Sequence, residues 1–467
     1  MRFLMVFIAL FSLTHQRGEA QHIHAELTDS LKKTCKIESI NDIFTKGTWG
    51  GHVRNYFMVT DHIGDYKTQY ADAIGMKIHY TTAEYRGFSM ALGGIFSFDL
   101  FSSDLAELDP RAGRYPAYEL QLFDIENPEN KYDLDRLEEL YLKYSFGKKS
   151  SILVGRHQIF TPFVNPADGR MKPYAFQGAT LDFGEIENTR FQLSFITHVS
   201  PRSTVEWHRI EDSLGKYSTG VNPKGEHAEY EDHIESDGLL ILGFDRKFGN
   251  SLNISGNYYY ADNVLSTAYL KAEYTKQLNP NLRLLAGLEG VTENKVGNGG
   301  NESEDHAYMC PQDNNYGVGY TVGAEYKTFN FSVSGLSMAD QGRFLFPREW
   351  GRENFFVTIP RGRIEGLGDA RLYRFHLGKK FKSGLIAQLD YTYLDGPGTD
   401  TVELNKYRIP NYNQVNLDLA YEFHGWMKGT TLHFLYVYKE AKEEVVPEVE
   451  YYQANFNHFN LVANVLF

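Results

Sequence analysis

Seven arginines lie between positions 341 and 375, a stretch with four acidic residues and no lysine. They are Arg343, Arg348, Arg352, Arg361, Arg363, Arg371 and Arg374. A guanidinium group stays charged and presents a planar set of donors to carboxylates and phosphates. Along one wall of a narrow pore, such residues favour anionic or zwitterionic solutes. The same arginines could pair with acidic loop residues or contact lipopolysaccharide, and the sequence leaves both interpretations open.

A second group of polar residues surrounds positions 155–179, which read GRHQIFTPFVNPADGRMKPYAFQGA. Three prolines predict a stiff, irregular loop in the middle of this segment. Strand phase places Arg156 and Gln158 on one face of the preceding strand. We predict a pore-lining, substrate-binding set with a basic wall and opposing groups from the loop. The wall comprises Arg156, Arg170, Lys172, Arg190, Arg371 and Arg374, with Gln158 beside Arg156 and with Asp168 and Tyr174 opposite.

Two acidic regions argue against a basic wall that favours anions. Residues 99–139 carry twelve acids against four bases, and residues 211–237 carry eight acids with His227 and His233 among them. The second region could hold a divalent cation, but its spacing matches no fixed motif, and a solvated loop is the favoured interpretation. The sequence therefore leaves the choice between anion and cation preference open.

Enzyme motifs are missing from the sequence. It contains no GxSxG, HExxH, P-loop or paired CxxC pattern. The two cysteines, Cys35 and Cys310, cannot form a disulfide framework, and we interpret both as incidental. We therefore predict that the protein is not an enzyme and carries no cofactor and no dedicated metal site.

The composition excludes several classes of protein. Aromatic residues make up 15% of the 467 residues, yet the mean hydropathy is -0.42. No apolar run reaches the roughly 18 residues of a membrane helix, and the abundance of aromatics argues against disorder. A net charge of -13 argues against a broad nucleic-acid-binding surface. The chain is rich in aromatics and polar at the same time.

The first twenty residues are typical of a secretory signal. Arg2 supplies a positive charge, residues 3–13 form an apolar stretch, and Gly18-Glu19-Ala20 resembles a cleavage site. We predict a signal peptide at 1–20, a periplasmic lead at 21–48 and a barrel at 49–467.

The remaining sequence is typical of strands with period-two alternation. In one example, Phe88, Met90 and Leu92 fall on one face of a strand. We predict eighteen strands, at 49–60, 73–83, 87–98, 137–146, 151–158, 175–183, 190–199, 239–246, 251–260, 265–274, 282–291, 316–327, 329–338, 371–379, 384–394, 413–423, 430–438 and 456–467.

The connections alternate in length. Those after even-numbered strands are short, whereas those after odd-numbered strands are mostly long and polar, as in 99–136 and 200–238. A transmembrane β-barrel sorts its connections in this way, with tight periplasmic turns and long outer loops. Such a barrel must close because hydrocarbon offers no partners for backbone polar groups. We predict an all-β, antiparallel transmembrane barrel, with a soluble sandwich or solenoid as the weaker alternative.

The segment 155–179 resembles the strand–loop–strand signature of the OprD-type specific porins. A weaker similarity lies in FLFPREWG at 344–351 and in the last strand, which ends on Phe467. The resemblance implies an 18-stranded barrel in the outer membrane whose third outer loop folds inward. It also implies passage of small carboxylates, amino acids, peptides or sugars. The long acidic loops and the N-terminal lead depart from the family pattern.

These observations predict a porin for passive, substrate-selective diffusion of small polar solutes through a constricted pore with a basic wall. The alternative is a plugged structural or adhesive barrel without transport. The expected partners are small polar or anionic solutes, outer-membrane lipid and lipopolysaccharide, and the barrel-assembly machinery through the strand ending in Phe467. No nucleic acid is expected as a partner.

Overall fold

The computed structural model describes residues 37–467. The predicted signal peptide at 1–20, most of the lead at 21–48 and Cys35 lie outside the described residues. Within the described part of the lead, helix α1 (Ile40–Thr45) comes directly before the first strand. Its N-terminus is capped by the side chain of Ser39, which accepts a hydrogen bond from the Asp42 amide.

Eighteen long strands follow α1 and form the wall of the molecule. They are β1 (Thr48–His62), β2 (Gln69–Thr81), β3 (Phe88–Ser102), β4 (Arg136–Phe146), β5 (Ser150–His157), β6 (Ala175–Phe183), β7 (Thr189–Ser200), β8 (Leu239–Phe248), β9 (Leu252–Ala261), β10 (Leu265–Asn279), β11 (Leu282–Lys295), β12 (Asn315–Tyr326), β13 (Phe329–Met338), β14 (Arg371–Lys380), β15 (Leu385–Asp395), β16 (Tyr412–Glu422), β17 (Thr430–Ala441) and β18 (Phe456–Leu466).

The strands form one closed antiparallel barrel. Each strand pairs with its neighbours in sequence, and β18 pairs with β1, with Val462 opposite Tyr56. A separate two-residue strand, His208–Arg209, pairs with the end of β7. Closure pairs both edges of each of these eighteen strands, which is what hydrocarbon requires of a β-structure. The predicted eighteen-stranded barrel is confirmed.

The side chains of each strand alternate between the two faces of the wall. On β3, Phe88, Met90 and Leu92 are exposed on the outer surface, whereas Ala91 and Ile95 are buried. A slip of one residue in the pairing would exchange these two sets. The apolar pattern and the observed register therefore agree.

The lengths of the connections also follow the predicted alternation. Even-numbered strands are followed by short turns such as 147–149 and 280–281, and most odd-numbered strands by longer segments such as 103–135 and 339–370. Several strands run further than predicted, and β10 continues to Asn279 through a bulge between Gln277 and Asn279. Four of its last five residues, 275–279, are polar, so backbone pairing continues where the regular apolar alternation has ended.

Short helices interrupt the connections. They are α2 (Ile210–Ser213) and α3 (Pro447–Gln453), together with four 3₁₀ turns at Leu120–Leu122, Glu304–His306, Arg348–Trp350 and Gly425–Met427. Within residues 37–467, none of the helices has both the length and the apolar character needed to cross a membrane.

The largest buried apolar cluster joins two connections to the wall. Phe163, from the connection after β5, packs against Tyr259 of β9, Tyr269 of β10 and Phe355 from the connection after β13. Trp350 is fully buried nearby and donates its indole N–H to Ser213 at 3.0 Å. This packing fixes both connections relative to the strands.

Candidate functional site

A large cavity lies within the ring of strands. Its volume is about 2870 Å³, and its lining includes Arg54 and Lys77 from the strands, and Arg170 and Arg361 from the connections. Polar residues on the cavity face and apolar residues on the outer face are the arrangement of a membrane barrel with a water-filled interior. The candidate site therefore consists of residues that line this cavity.

The connection 158–174 is attached to the wall at two distant places. Asp168 accepts two hydrogen bonds from Arg54 of β1, at 2.6 and 2.9 Å, and the Tyr56 hydroxyl lies 3.3 Å from the Gly169 carbonyl. On the other side, the Phe163 amide donates to the Tyr259 hydroxyl of β9 at 3.2 Å. β1 and β9 are far apart in the strand order, so this connection links separate parts of the wall.

The connection 339–370 is attached in a similar way. The Phe356 amide donates to Glu289 of β11 at 2.9 Å, and Gln414 of β16 donates to the Pro360 carbonyl at 2.6 Å. The two connections also meet directly, because the Asn165 side chain donates to the Arg352 carbonyl at 2.8 Å. They form one hydrogen-bonded unit.

Three arginines form a basic cluster at this unit: Arg170, Arg202 and Arg361. Arg170 donates to Gln121 at 2.8 Å, and Arg202 donates to the Ala167 carbonyl at 3.2 Å. Arg361 lies 2.5 Å from a ring nitrogen of His458. Among residues 37–467, no carboxylate forms an ion pair with any member of the cluster.

The electrostatics of the cluster follow from this composition. Burial, together with the neighbouring charges of Arg361 and Arg202, holds the pKa of Arg170 well below its usual value. Two tyrosine rings lie beside the other members, with Tyr174 5.6 Å from Arg202 and Tyr118 4.6 Å from Arg361. An aromatic face stabilises a guanidinium without neutralising it. A guanidinium stays protonated in proteins even where burial and neighbouring cations lower its pKa, so the basic cluster keeps its positive charge at the cavity.

Four other arginines of the cavity are paired with carboxylates. Arg190 pairs with Asp182 at 2.5 Å and Arg374 with Asp390 at 2.7 Å. In the connection 339–370, Arg363 pairs with Glu353 at 3.1 Å, and Arg348 pairs with Glu365. These pairs leave no net charge for a passing solute.

The structure brings six of the nine predicted pore residues to the cavity. They are Gln158, Asp168, Arg170, Tyr174, Arg190 and Arg374. Asp168 is fully engaged by Arg54, and the Tyr174 hydroxyl donates to the Arg348 carbonyl at 2.8 Å. Gln158 donates to Glu138 at 3.3 Å. Of the predicted arginines, Arg170 is the one in the basic cluster.

The other three predicted residues lie away from the cavity lining. Arg156 shares a strand face with Ile152 and Val154, which are exposed on the outer surface, and it stacks over Trp207 at 4.4 Å. Arg371 lies on the face of β14 that carries the exposed Phe375. We predicted both for the pore wall, Arg156 from strand phase and Arg371 from the arginine-rich stretch, but the exposed apolar residues on the same strand faces place both outward.

Lys172 is buried within protein instead of facing the cavity. Its ammonium group lies 3.5 Å from the Leu134 carbonyl. Burial and the neighbouring Arg136 charge lower its pKa to about 7. Lys172 therefore holds its proton less firmly than an exposed lysine does.

Sequence reasoning missed several cavity cations. Arg54 and Lys77 occupy inward positions of β1 and β2, and the period-two alternation of these two strands is the sequence signal that identifies both as inward. Lys77 pairs with Glu138 at 2.8 Å and Glu139 at 2.7 Å. Arg202 lies in an irregular connection, where no periodicity indicates which way a side chain points.

The acidic outer connections do not assemble a metal centre within residues 37–467. No group of three or more possible ligands among His, Cys, Asp and Glu is found there. His227 lies 3.3 Å from the Thr219 hydroxyl, and His233 stacks on His306 with ring centres 4.0 Å apart. Cys310 is buried.

The closed barrel, its outward apolar face and its polar cavity define the class of an outer-membrane channel. The model of the outer membrane porin, OprD family, matches residues 47–334, which is more than half of the chain. The protein belongs to this family and is an integral outer-membrane porin. The family and the fold are those of channels for small solutes.

Solved structures of similar fold support this assignment of the barrel. OccAB2 of Acinetobacter baumannii is 15% identical with a TM-score of 0.71, over 91% of this chain and 99% of that chain. OpdK of Pseudomonas aeruginosa with vanillate is 13% identical with a TM-score of 0.70, over 91% and 99% of the two chains. OccK9 of Pseudomonas aeruginosa is 14% identical with a TM-score of 0.72, over 91% and 100%. A comparison with curated protein sequences finds no match.

Proposed function

We propose that the porin conducts small anionic or zwitterionic solutes by passive diffusion, with the basic cluster of Arg170, Arg202 and Arg361 as its selective element. The observation that carries this proposal is the lack of a carboxylate partner for any of the three within residues 37–467. A cation that is already paired has little attraction left for a solute, whereas an unneutralised one in a narrow, low-dielectric passage attracts anions strongly.

The connection 158–174 supplies the constriction in this proposal. Its bonds to Arg54 on β1 and to Tyr259 on β9 hold it between two distant parts of the wall. The connection 339–370 supports it from the side through Asn165 and Arg352. A passage between these two connections brings each solute past the basic cluster.

Small carboxylates fit this arrangement best among the expected solutes. A guanidinium donates two parallel hydrogen bonds to a carboxylate, and neighbouring tyrosines provide flat surfaces for an apolar body. OpdK, one of the proteins of similar fold, was crystallised with vanillate. We extend this solute class to the present chain on the basis of its own arginines and tyrosines.

The test measures ion selectivity in a planar bilayer under a salt gradient. The wild-type channel is expected to show a reversal potential of anion-selective sign. Arg170→Gln and Arg202→Gln, each of which removes one unneutralised charge, are expected to lower the anion-to-cation permeability ratio roughly two- to tenfold. Arg156→Gln is the matched control, because Arg156 lies on the outward strand face, and it should leave the ratio unchanged.

Three results would contradict the proposal. A folded, inserted barrel without conductance would favour the plugged structural or adhesive barrel. Cation preference in the wild type would assign selectivity to the acidic outer connections. An equal effect of Arg156→Gln and Arg170→Gln would show that net charge, and not the position of the cluster, determines selectivity.

A further inference from the structure

A chain of hydrogen bonds leads from the basic cluster into the barrel wall. A terminal guanidinium nitrogen of Arg361 (Nη2) lies 2.5 Å from Nε2 of His458, on β18. Nδ1 of the same ring lies 2.7 Å from the hydroxyl of Thr60, on β1. Thr60 in turn donates to Oε1 of Glu119, in the connection 103–135, at 2.5 Å. Thr60, His458 and Glu119 are buried.

The chemistry of the four groups fixes the direction of this chain. A guanidinium has no acceptor, so Arg361 must donate to Nε2 of His458. Nε2 is then the unprotonated nitrogen, and Nδ1 carries the hydrogen that it donates to Thr60. Thr60 has its own hydroxyl hydrogen left for Glu119. Each group thus donates to the next, and the imidazole is neutral with one defined tautomer.

The backbone that carries Arg361 is held in an unfavourable conformation. Arg361 has φ of +65°, in the left-handed region that residues with a Cβ seldom adopt. Three consecutive carbonyls around it accept side-chain donors: Gln414 to Pro360 at 2.6 Å, Lys439 to Arg361 at 3.3 Å, and Arg352 to Gly362 at 3.0 Å. Strain of this kind persists only where the surroundings over-determine it, and it is concentrated at functional sites.

Both ends of the Arg361 side chain are therefore fixed by separate sets of contacts. The strained turn sets where the side chain leaves the backbone, and His458 sets where the guanidinium ends. Because His458 is neutral, it holds the guanidinium without cancelling its charge. A carboxylate in the same place would position Arg361 equally well but would remove its attraction for an anion.

We propose that Glu119, Thr60 and His458 act as positioning residues for Arg361, holding its uncancelled charge at one point of the passage. This inference rests on the proposed function, because it names the residues that regulate how one member of the basic cluster meets a solute. Arg361 itself contacts the solute, whereas the other three act through it.

The experiment interrupts the chain at Thr60 and measures reversal potentials under a potassium chloride gradient. Thr60→Val keeps the shape of the side chain and removes the hydroxyl, so His458 loses its acceptor and Glu119 its donor. The anion-to-cation permeability ratio is expected to fall roughly twofold or more, as for the loss of one hydrogen bond. Thr60→Ser restores the hydroxyl and is expected to restore the ratio.

Thr180→Val is the matched control. Thr180 also bonds to a histidine, with its hydroxyl 2.7 Å from Nε2 of His157, but the other ring nitrogen of this histidine lies 3.0 Å from the Gly155 carbonyl and not against an arginine. This variant should keep the wild-type ratio. The shift of the folded barrel on an unboiled gel checks that each variant has folded.

Arg361→Lys provides a second test if Thr60→Val does not fold. Lysine keeps the charge at the same strained position but lacks the planar fork, and it is expected to lower the ratio as Thr60→Val does. A wild type with anion preference and unchanged ratios in Thr60→Val and Arg361→Lys would overturn the positioning role alone. A wild type without anion preference would overturn the proposed function first.

Discussion

Arg54 and Asp168 form a two-point ion pair that attaches the connection 158–174 to β1. The two residues are 114 positions apart in the sequence, and their hydrogen bonds measure 2.6 and 2.9 Å. Burial alone would raise the pKa of Asp168, but the Arg54 charge and its hydrogen bonds lower it below the usual value. Asp168 thus stays ionised and is occupied in holding the connection.

Replacing Asp168 by asparagine is expected to loosen this attachment and to leave the Arg54 charge uncancelled. The channel should become more anion-selective, and its current should fluctuate more, because one end of the connection is released. Single-channel recording at constant voltage measures both quantities. Asp182→Asn removes the same charge from the exposed pair with Arg190, so it should change selectivity without added fluctuation. Equal current fluctuation in both variants would contradict the role of the Arg54–Asp168 pair in attaching the connection.

The contact between the two connections depends on a glycine. Gly351 has φ of +150°, and a Cβ at this position would lie 2.4 Å from the Phe163 carbonyl oxygen. Gly351→Ala should force the connections apart and change the single-channel conductance. Gly113→Ala is the matched control, since Gly113 also has positive φ but nothing lies within 4 Å of its Cβ position. Identical conductance in both variants would exclude this contact as a determinant of pore width.

Phe163 is the centre of the aromatic cluster, and its removal should destabilise the barrel. The side chain is fully buried against Tyr259, Tyr269 and Phe355. Phe163→Ala is expected to cost roughly 3–5 kcal/mol of unfolding free energy, because it leaves a cavity among rings. Urea unfolding in lipid vesicles, followed by tryptophan fluorescence, gives this value. Phe331→Ala, on the lipid-facing side of β13, should cost less; an equal loss would indicate that the cluster adds no packing energy.

Glu119 makes the stability of the barrel depend on pH. Burial raises its pKa from its usual value to about 7. A carboxyl group whose pKa is higher in the folded state stabilises that state most at low pH. The wild type should therefore lose stability relative to Glu119→Gln as pH rises from about 4.5 towards 7.

Urea midpoints of the two proteins between pH 4 and pH 8 provide the measurement. Their difference isolates Glu119 from the other titrating groups, since these are common to both. Parallel pH curves would show that Glu119 ionises in the folded barrel as it does in the unfolded chain.

Alternation made the strands predictable to within a few residues, but the cavity site was only partly predictable. Phe375 and Leu377 on β14 are exposed on the outer face, and His376 between them is buried, as period two requires. The same rule assigns Arg374 inward and Arg371 outward. For an arginine at the end of a strand, the alternation of its apolar neighbours therefore predicts its direction better than its own polarity does. Arg202 and Arg361 had no such guide, because they lie in connections without periodicity.

The sequence by itself determined the barrel, the alternation of short and long connections, and the strand phase. These depend on local patterns, since each strand must present apolar groups to lipid and polar groups to water. Only the tertiary structure decided which charges are cancelled. Asp168 meets Arg54 and His458 meets Arg361 across 114 and 97 positions of sequence. Such meetings are set by the paths of irregular connections across the barrel, and no local pattern encodes them.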